Sequence, residues 1–163
     1  MKKLVLLLAI SLFLSHNLFA QTKVETKSIF AKSYTYVNDF EKILTADQVK
    51  TLNDFLKSND TKNKNKVLIV TTSSIAPYTD LGDYSLELDK YLMSKLNIDT
   101  TVLIVISKQL RQIRVQGTDK RQTKISDQEI KDVVSAYIIP ELKKGDYYKG
   151  LYEGTHQIIK KME

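Results

Sequence analysis

Two apolar runs fix most of the architecture. Lys66–Thr72 reads KVLIVTT and Thr101–Ile106 reads TVLIVI, both rich in β-branched residues. Neither shows the polar alternation of a half-exposed strand, so both read as strands buried on two faces. A sheet containing such strands needs helices packed on each side. Gln112–Gln116 is different, because Ile113 and Val115 alternate with polar neighbours. Only Ser107–Arg111 separates it from the preceding strand, too short a link for a parallel crossover, so the pair reads as an antiparallel hairpin.

Helical segments surround these strands. Thr45-Ala46-Asp47-Gln48 is a capping box, followed by Val49, Leu52, Phe55 and Leu56 at helical spacing, with an expected end near Lys57. After a loop containing Pro77, Asp80–Leu96 forms a second helix with Leu81, Tyr84, Leu88, Tyr91, Leu92 and Leu96 inward. Ser126-Asp127-Gln128-Glu129 caps a third helix, whose inner face is Ile130, Val133, Val134, Tyr137 and Ile138, and Pro140 breaks or kinks it. Gly145-Asp146 stops one helix and starts the last, about Tyr147–Lys161, with Tyr148, Leu151, Tyr152, Thr155 and Ile158 facing in. The order α-β-α-β-β-α-α predicts an α/β fold, a three-layer α/β/α sandwich with a mixed central sheet.

The first twenty residues read as a secretory signal. Lys2 and Lys3 precede the apolar run Leu4–Leu14, and Phe19-Ala20-Gln21 suits cleavage after Ala20. The run is short for a membrane span, and no later stretch is long or apolar enough for one. The expected location is therefore periplasmic or secreted, with residues 21–33 a disordered lead-in and residues 34–163 one folded domain.

Composition excludes several chemistries. Cysteine is absent, which removes thiol catalysis and thiolate metal sites. His16 leaves with the signal, so His156 is the lone histidine, read as a boundary residue on the last helix. Net charge falls from +6 to +4 once Lys2 and Lys3 are removed. Lys57–Lys66 (KSNDTKNKNK) reads as a solvated loop, and no nucleic-acid partner is expected.

In the order of its motifs the chain resembles the TPM domain family. Val37-Asn38-Asp39-Phe40 and Leu44-Thr45-Ala46-Asp47-Gln48 are similar to the family's opening signature. KVLIVTT, Asp83-Tyr84, TVLIVIS, Arg111 to Arg114, Ile139-Pro140 and Gly145-Asp146-Tyr147 with Gly150 continue the similarity from about Tyr36 to Ile159. The resemblance implies an α/β/α sandwich, exported or lumenal. It also implies the activities assigned to family members: acid phosphatase, binding of calcium or another divalent metal, and photosystem-repair or receptor-accessory roles.

The family's acidic and glycine signatures fall in two loops. Before the second long strand, Asp99 aligns with the first acidic or amide position, Thr100 with an asparagine and Thr101 with a glycine. After the hairpin, Thr118-Asp119-Lys120-Arg121-Gln122 replaces the usual Gly-Tyr-Gly-Leu/Ile-Glu, so both glycines are lost and Gln122 stands for the glutamate. A hard cation needs several oxygen ligands on a tightly turning backbone. Lys120 and Arg121 each oppose cation binding there by about 1–4 kcal/mol before screening.

Asp39, Asp99 and Asp119 could still converge as a remodelled, weak calcium or magnesium site, the one cofactor expected. Asp39 reads equally as a loop carboxylate accepting backbone hydrogen bonds, Asp99 as a turn residue and Asp127 as a first-turn helix carboxylate. Thr100, Lys120, Arg121 and Gln122 are the candidate ligand-binding residues, and Lys124 adds charge to the same loop. The expectation is a non-catalytic binding or accessory module with a degenerate metal site, whose partner is a protein or a small anionic ligand. The alternative is a divalent-metal-dependent acid phosphatase hydrolysing phosphomonoesters. A third reading is metal-free anion binding through Lys120, Arg121 and Lys124.

Overall fold

The computed structural model describes residues 28–117 and 125–163. The chain divides into two units, Met1–Ala31 and Lys32–Glu163. In the first, the Ala31 amide donates to the Ser28 carbonyl at 2.9 Å. Among the described residues, every helix and strand lies in the second.

One mixed sheet runs in the order β1 (Val37–Asp39), β2 (Val67–Thr71), β3 (Val102–Ser107), β4 (Gln112–Gly117). The β1–β2 and β2–β3 pairs are parallel and β3–β4 is the expected antiparallel hairpin. The sandwich is as predicted, with β1 added at its edge. Three residues are too few to show a period, so β1 is invisible to pattern reading. It forms because the outer edge of β2 needs partners: the Ile69 amide donates to the Tyr36 carbonyl at 2.8 Å, and Asn38 Nδ2 donates to the Ile69 carbonyl at 3.0 Å.

Both capping boxes form. The Thr45 hydroxyl accepts from the Gln48 amide at the start of α1 (Ala46–Asn63), while the Gln48 side chain accepts from the Thr45 amide. Ser126 and Glu129 repeat this at α3 (Asp127–Val133). Helix α1 does not stop near Lys57, so the basic run read as a loop is largely helical. Its side chains extend the helix: Thr61 Oγ1 donates to the Lys57 carbonyl, Asn63 Nδ2 donates to Asn59, and Lys64 closes the end at φ 59°.

The strand side chains sort into two faces. Val67, Ile69, Val102 and Ile104 pack with Leu52 and Leu56 of α1 and with Leu151 and Ile158 of α5 (Tyr147–Met162). Leu68, Val70, Leu103 and Val105 point the other way, where α2 (Leu81–Leu96) packs on β3 and β4. Helices α1 and α2 therefore lie on opposite faces, although both connections step one strand in the same direction. Two crossovers of opposite hand result, against the usual right-handed preference. The loops after β1 and β2 part company at the carboxyl edge of the sheet.

Between α3 and α4 (Ile139–Lys144), Val134–Ile138 makes a π turn just ahead of Pro140. A proline ring and its missing N–H disfavour a regular α turn there. The wider turn buries Ile138 completely and swings Tyr137 outward to 40% exposure, where an inward tyrosine is expected from the α period. Leu96 and Tyr152 are likewise 37% exposed rather than inward. Leu96 is the last residue of its helix, and Tyr152 joins a rim of rings with Tyr148 and Phe55.

At the α4–α5 corner, buried Glu141 accepts from Lys144 Nζ at 2.8 Å and pairs with Lys149 at 3.4 Å. The hydrogen bond from Lys144 holds its carboxyl below the ordinary value of 4.5, with Lys149 adding to the effect. A carboxyl lowered in the folded state stabilises fully above the unfolded value, and that contribution drains as pH falls through the lower folded value. Protection factors of the amides in the first turn of α5, exchange rates taken relative to the unstructured chain at the same pH, should fall on acidification below pH 4.5, and Glu141→Gln should weaken that fall.

Candidate functional site

The sheet register sorts the candidate residues onto two edges. Asp39 ends β1 opposite Thr71, and Thr71 lies opposite Ile106 near the carboxyl end of β3. Asp99 precedes β3, on the side where Val102 pairs with Val67 and Gly117. Ile106 lies four positions after Val102 along β3, which at the usual rise puts the edges about 13 Å apart. A calcium ion holds its ligands at about 2.3–2.6 Å, so one ion does not reach both carboxylates.

At the amino edge, α2 ends in a left-handed cap at Asn97 (φ 54°), which turns the chain back toward the sheet. Asp99 is half-buried and Thr100 buried. The Thr100 hydroxyl donates to Asp89 Oδ1 at 2.9 Å, fixing the loop to α2. Thr101 Oγ1 accepts from the Lys66 amide, which ties the same loop to β2. Because Val102 pairs with Gly117, β4 ends at this edge too. Gly117, the last described residue before the second loop singled out in the sequence, thus lies beside the strand that follows Asn97–Thr101. Asp119, Lys120, Arg121, Gln122 and Lys124 lie outside the described residues. Among the described residues no group of three or more histidine, cysteine or acidic side chains has metal-binding geometry.

At the carboxyl edge, Asp39 serves the turn that leads into α1. Its Oδ1 accepts from the Ile43 amide at 3.1 Å and from Thr71 Oγ1 at 2.6 Å, and its Oδ2 accepts from the Leu44 amide at 2.9 Å. Lys42 sits in this turn at φ 56°. Thr71 Oγ1 in turn accepts from the Glu41 amide at 2.9 Å. The Glu41 carboxylate reaches across to the hairpin, accepting from the amides of Lys108 at 2.9 Å and Gln109 at 2.7 Å. Neither Glu41 nor this network is visible in the sequence, since only the parallel register brings Lys108 beside the β1 turn.

A cleft of about 1280 Å³ opens at the same edge, between the hairpin turn and the α4–α5 corner. It lies where the loops after β1 and β2 diverge to opposite faces, the position at which open α/β sheets bind ligands. Lys42, Lys108, Arg111, Lys143 and Lys144 line it. Sequence reading passes over these cations because they come from three separate segments. The one local hint is the Lys143-Lys144-Gly145 helix end. His156 stands apart from both edges, half-way along α5 with its ring 6.0 Å from that of Phe55.

These features define a TPM-type sandwich, and the family model for the TPM domain matches residues 37–161. The chain belongs to the TPM domain family. Among solved structures it is similar to the N-terminal domain of a protein from P. gingivalis, at 22% identity and a TM-score of 0.68, covering 80% of this chain and 83% of that one. It is also similar to the N-terminal domain of the cg2496 protein from Corynebacterium glutamicum, at 11% identity and a TM-score of 0.61, covering 82% and 83%. The BA42 protein from the psychrophilic bacterium Bizionia argentinensis matches at 17% identity and a TM-score of 0.61, covering 76% and 83%. At these identities the likeness establishes the fold. No curated protein matches.

Proposed function

We propose that the chain is an exported TPM-domain protein acting as a non-catalytic binding or accessory module, with a degenerate metal site. The observation that carries this reading is the separation of Asp39 from Asp99 by the sheet register, together with the internal bonding of Asp39. An acidic cluster would then rest on Asp99 and Asp119 alone, in a loop where Lys120 and Arg121 oppose a cation and Gln122 lacks the family's charge. Export rests on the leader-like pattern of Lys2, Lys3 and Leu4–Leu14.

The end of β4 at Gly117, beside the strand that follows Asn97–Thr100, favours a second reading, slow phosphomonoester hydrolysis assisted by a divalent metal. A phosphatase assay separates the two. The chain from Gln21 onward, given a model phosphomonoester with millimolar magnesium or calcium, is expected to show no turnover above buffer. Metal-dependent turnover that disappears in Asp99→Ala would overturn the non-catalytic reading.

A further inference from the structure

The cations of the carboxyl-edge cleft are poorly compensated. Lys42, Lys108, Arg111, Lys143 and Lys144 line it, and Glu41 is the one carboxylate among the described lining residues. Lys144 pairs with Glu141 outside that lining, and Lys108 Nζ sits 5.6 Å above the Tyr147 ring. Lys42, Arg111 and Lys143 form no ion pair with the described residues. Like charges gathered around a concavity repel one another, and low-dielectric walls focus their field into the space between them. An anion entering that space relieves the repulsion. Arginine supplies a planar fork and lysine a mobile point charge, both suited to phosphate or carboxylate oxygens.

Glu41 sharpens the picture. Its carboxylate already occupies the Lys108 and Gln109 amides, so the protein itself seats an oxyanion at this hairpin. Its negative charge also opposes any second anion arriving nearby. Asp39, the other described carboxylate nearby, is held by two amides of its own turn and by the Thr71 hydroxyl.

We propose that the carboxyl-edge cleft binds a small, multiply charged oxyanion, a phosphorylated or polycarboxylate compound, with Arg111, Lys42 and Lys143 as its principal cations and Glu41 as an internal brake on affinity. The cleft's volume exceeds what such a molecule needs, so the ligand carries further groups or leaves part of the space to water. This binding lies at the opposite edge from Asp99, and turnover at that other edge would leave it standing.

The test is a titration of the isotope-labelled chain with pyrophosphate, and in a separate arm with citrate, followed by backbone NMR. Saturable shifts are expected at Lys42, Lys108–Arg111 and Lys143–Gly145, with either probe; the tighter one identifies which oxyanion the cleft takes. Arg111→Gln combined with Lys143→Gln should weaken binding about 10-fold or more, while Glu41→Gln, which removes the charge and leaves one side-chain oxygen to accept from the hairpin amides, should tighten it by roughly 3-fold. Lys160→Gln, an exposed charge on α5 away from the cleft, should change nothing. Silence with both probes, shifts confined to Asn97–Thr101, an equal loss in Lys160→Gln, or no tightening in Glu41→Gln would each overturn the assignment.

Discussion

Asp39→Ala is expected to lower the stability of the fold by about 3 kcal/mol, equally in calcium and in chelator. The change orphans the amides of Ile43 and Leu44 and the hydroxyl of buried Thr71, all of which donate to this carboxylate. A hydrogen bond to a charged group contributes about 1.5–3 kcal/mol, but three bonds to one side chain do not add, and water reaches part of a half-buried turn. Asp39→Asn should cost less, because one amide oxygen still accepts. Asp99→Ala should cost well under half as much, since its loop is also fixed through Thr100 to Asp89 and through Thr101 to Lys66. Denaturant midpoints on the three variants provide the comparison. A metal ligand in a weak, empty site would behave the other way, with little loss on removal and often a gain from relieved charge repulsion.

Gly154→Val carries the second large effect, a loss of about 3 kcal/mol from overpacking. A Cβ at Gly154 would lie 2.6 Å from Cδ1 of Ile138 and closer still to its Cγ1. Ile138 is fully buried in the π turn, so it has nowhere to retreat. One turn earlier, a Cβ at Gly150 would meet the Ile138 carbonyl at 3.1 Å. The two glycines thus let α5 approach the widened turn closely. Helix propensity alone predicts the reverse sign, because replacing a mid-helix glycine usually helps. Combining Gly154→Val with Ile138→Ala trades volume across the contact and should recover a good part of the loss in thermal unfolding. Failure of the pair to recover would place the damage elsewhere than this contact.

Strand and helix placement was largely legible in the sequence, because the long apolar runs and the two capping boxes act locally. KVLIVTT and TVLIVI announced their double burial without help from the rest of the chain, and Thr45 and Ser126 marked helix starts by their own hydrogen-bonding chemistry. What escaped depended on contacts between distant segments. β1 exists because β2 offers it an edge, and the exposure of Tyr137 follows from a π turn that no 3.6-residue period describes. The helical run past Lys57 was hidden by polar residues that bond along the helix rather than bury a face.

Site residues divided in the same way. The sequence offered Asp39 and Asp99 as members of one metal site, with a hydrogen-bonded loop carboxylate and a turn residue as the alternatives, but could not say which edge of the sheet each would occupy. That is set by whether the strands run parallel, and a parallel β1 puts Asp39 at the far end from Asp99. The cationic cleft depended on the same register together with the opposite-handed crossovers, neither of which leaves a local signal.

A calcium titration of the chain from Gln21 onward, read by backbone NMR, tests the two-edge arrangement most directly. The account predicts that the amides of Ile43 and Leu44, bonded to Asp39, stay still up to millimolar calcium, whatever Asn97–Thr100 does. Saturable shifts at Ile43–Leu44 and at Asn97–Thr100 with one shared affinity would mean that a single ion engages both carboxylates, and would contradict it.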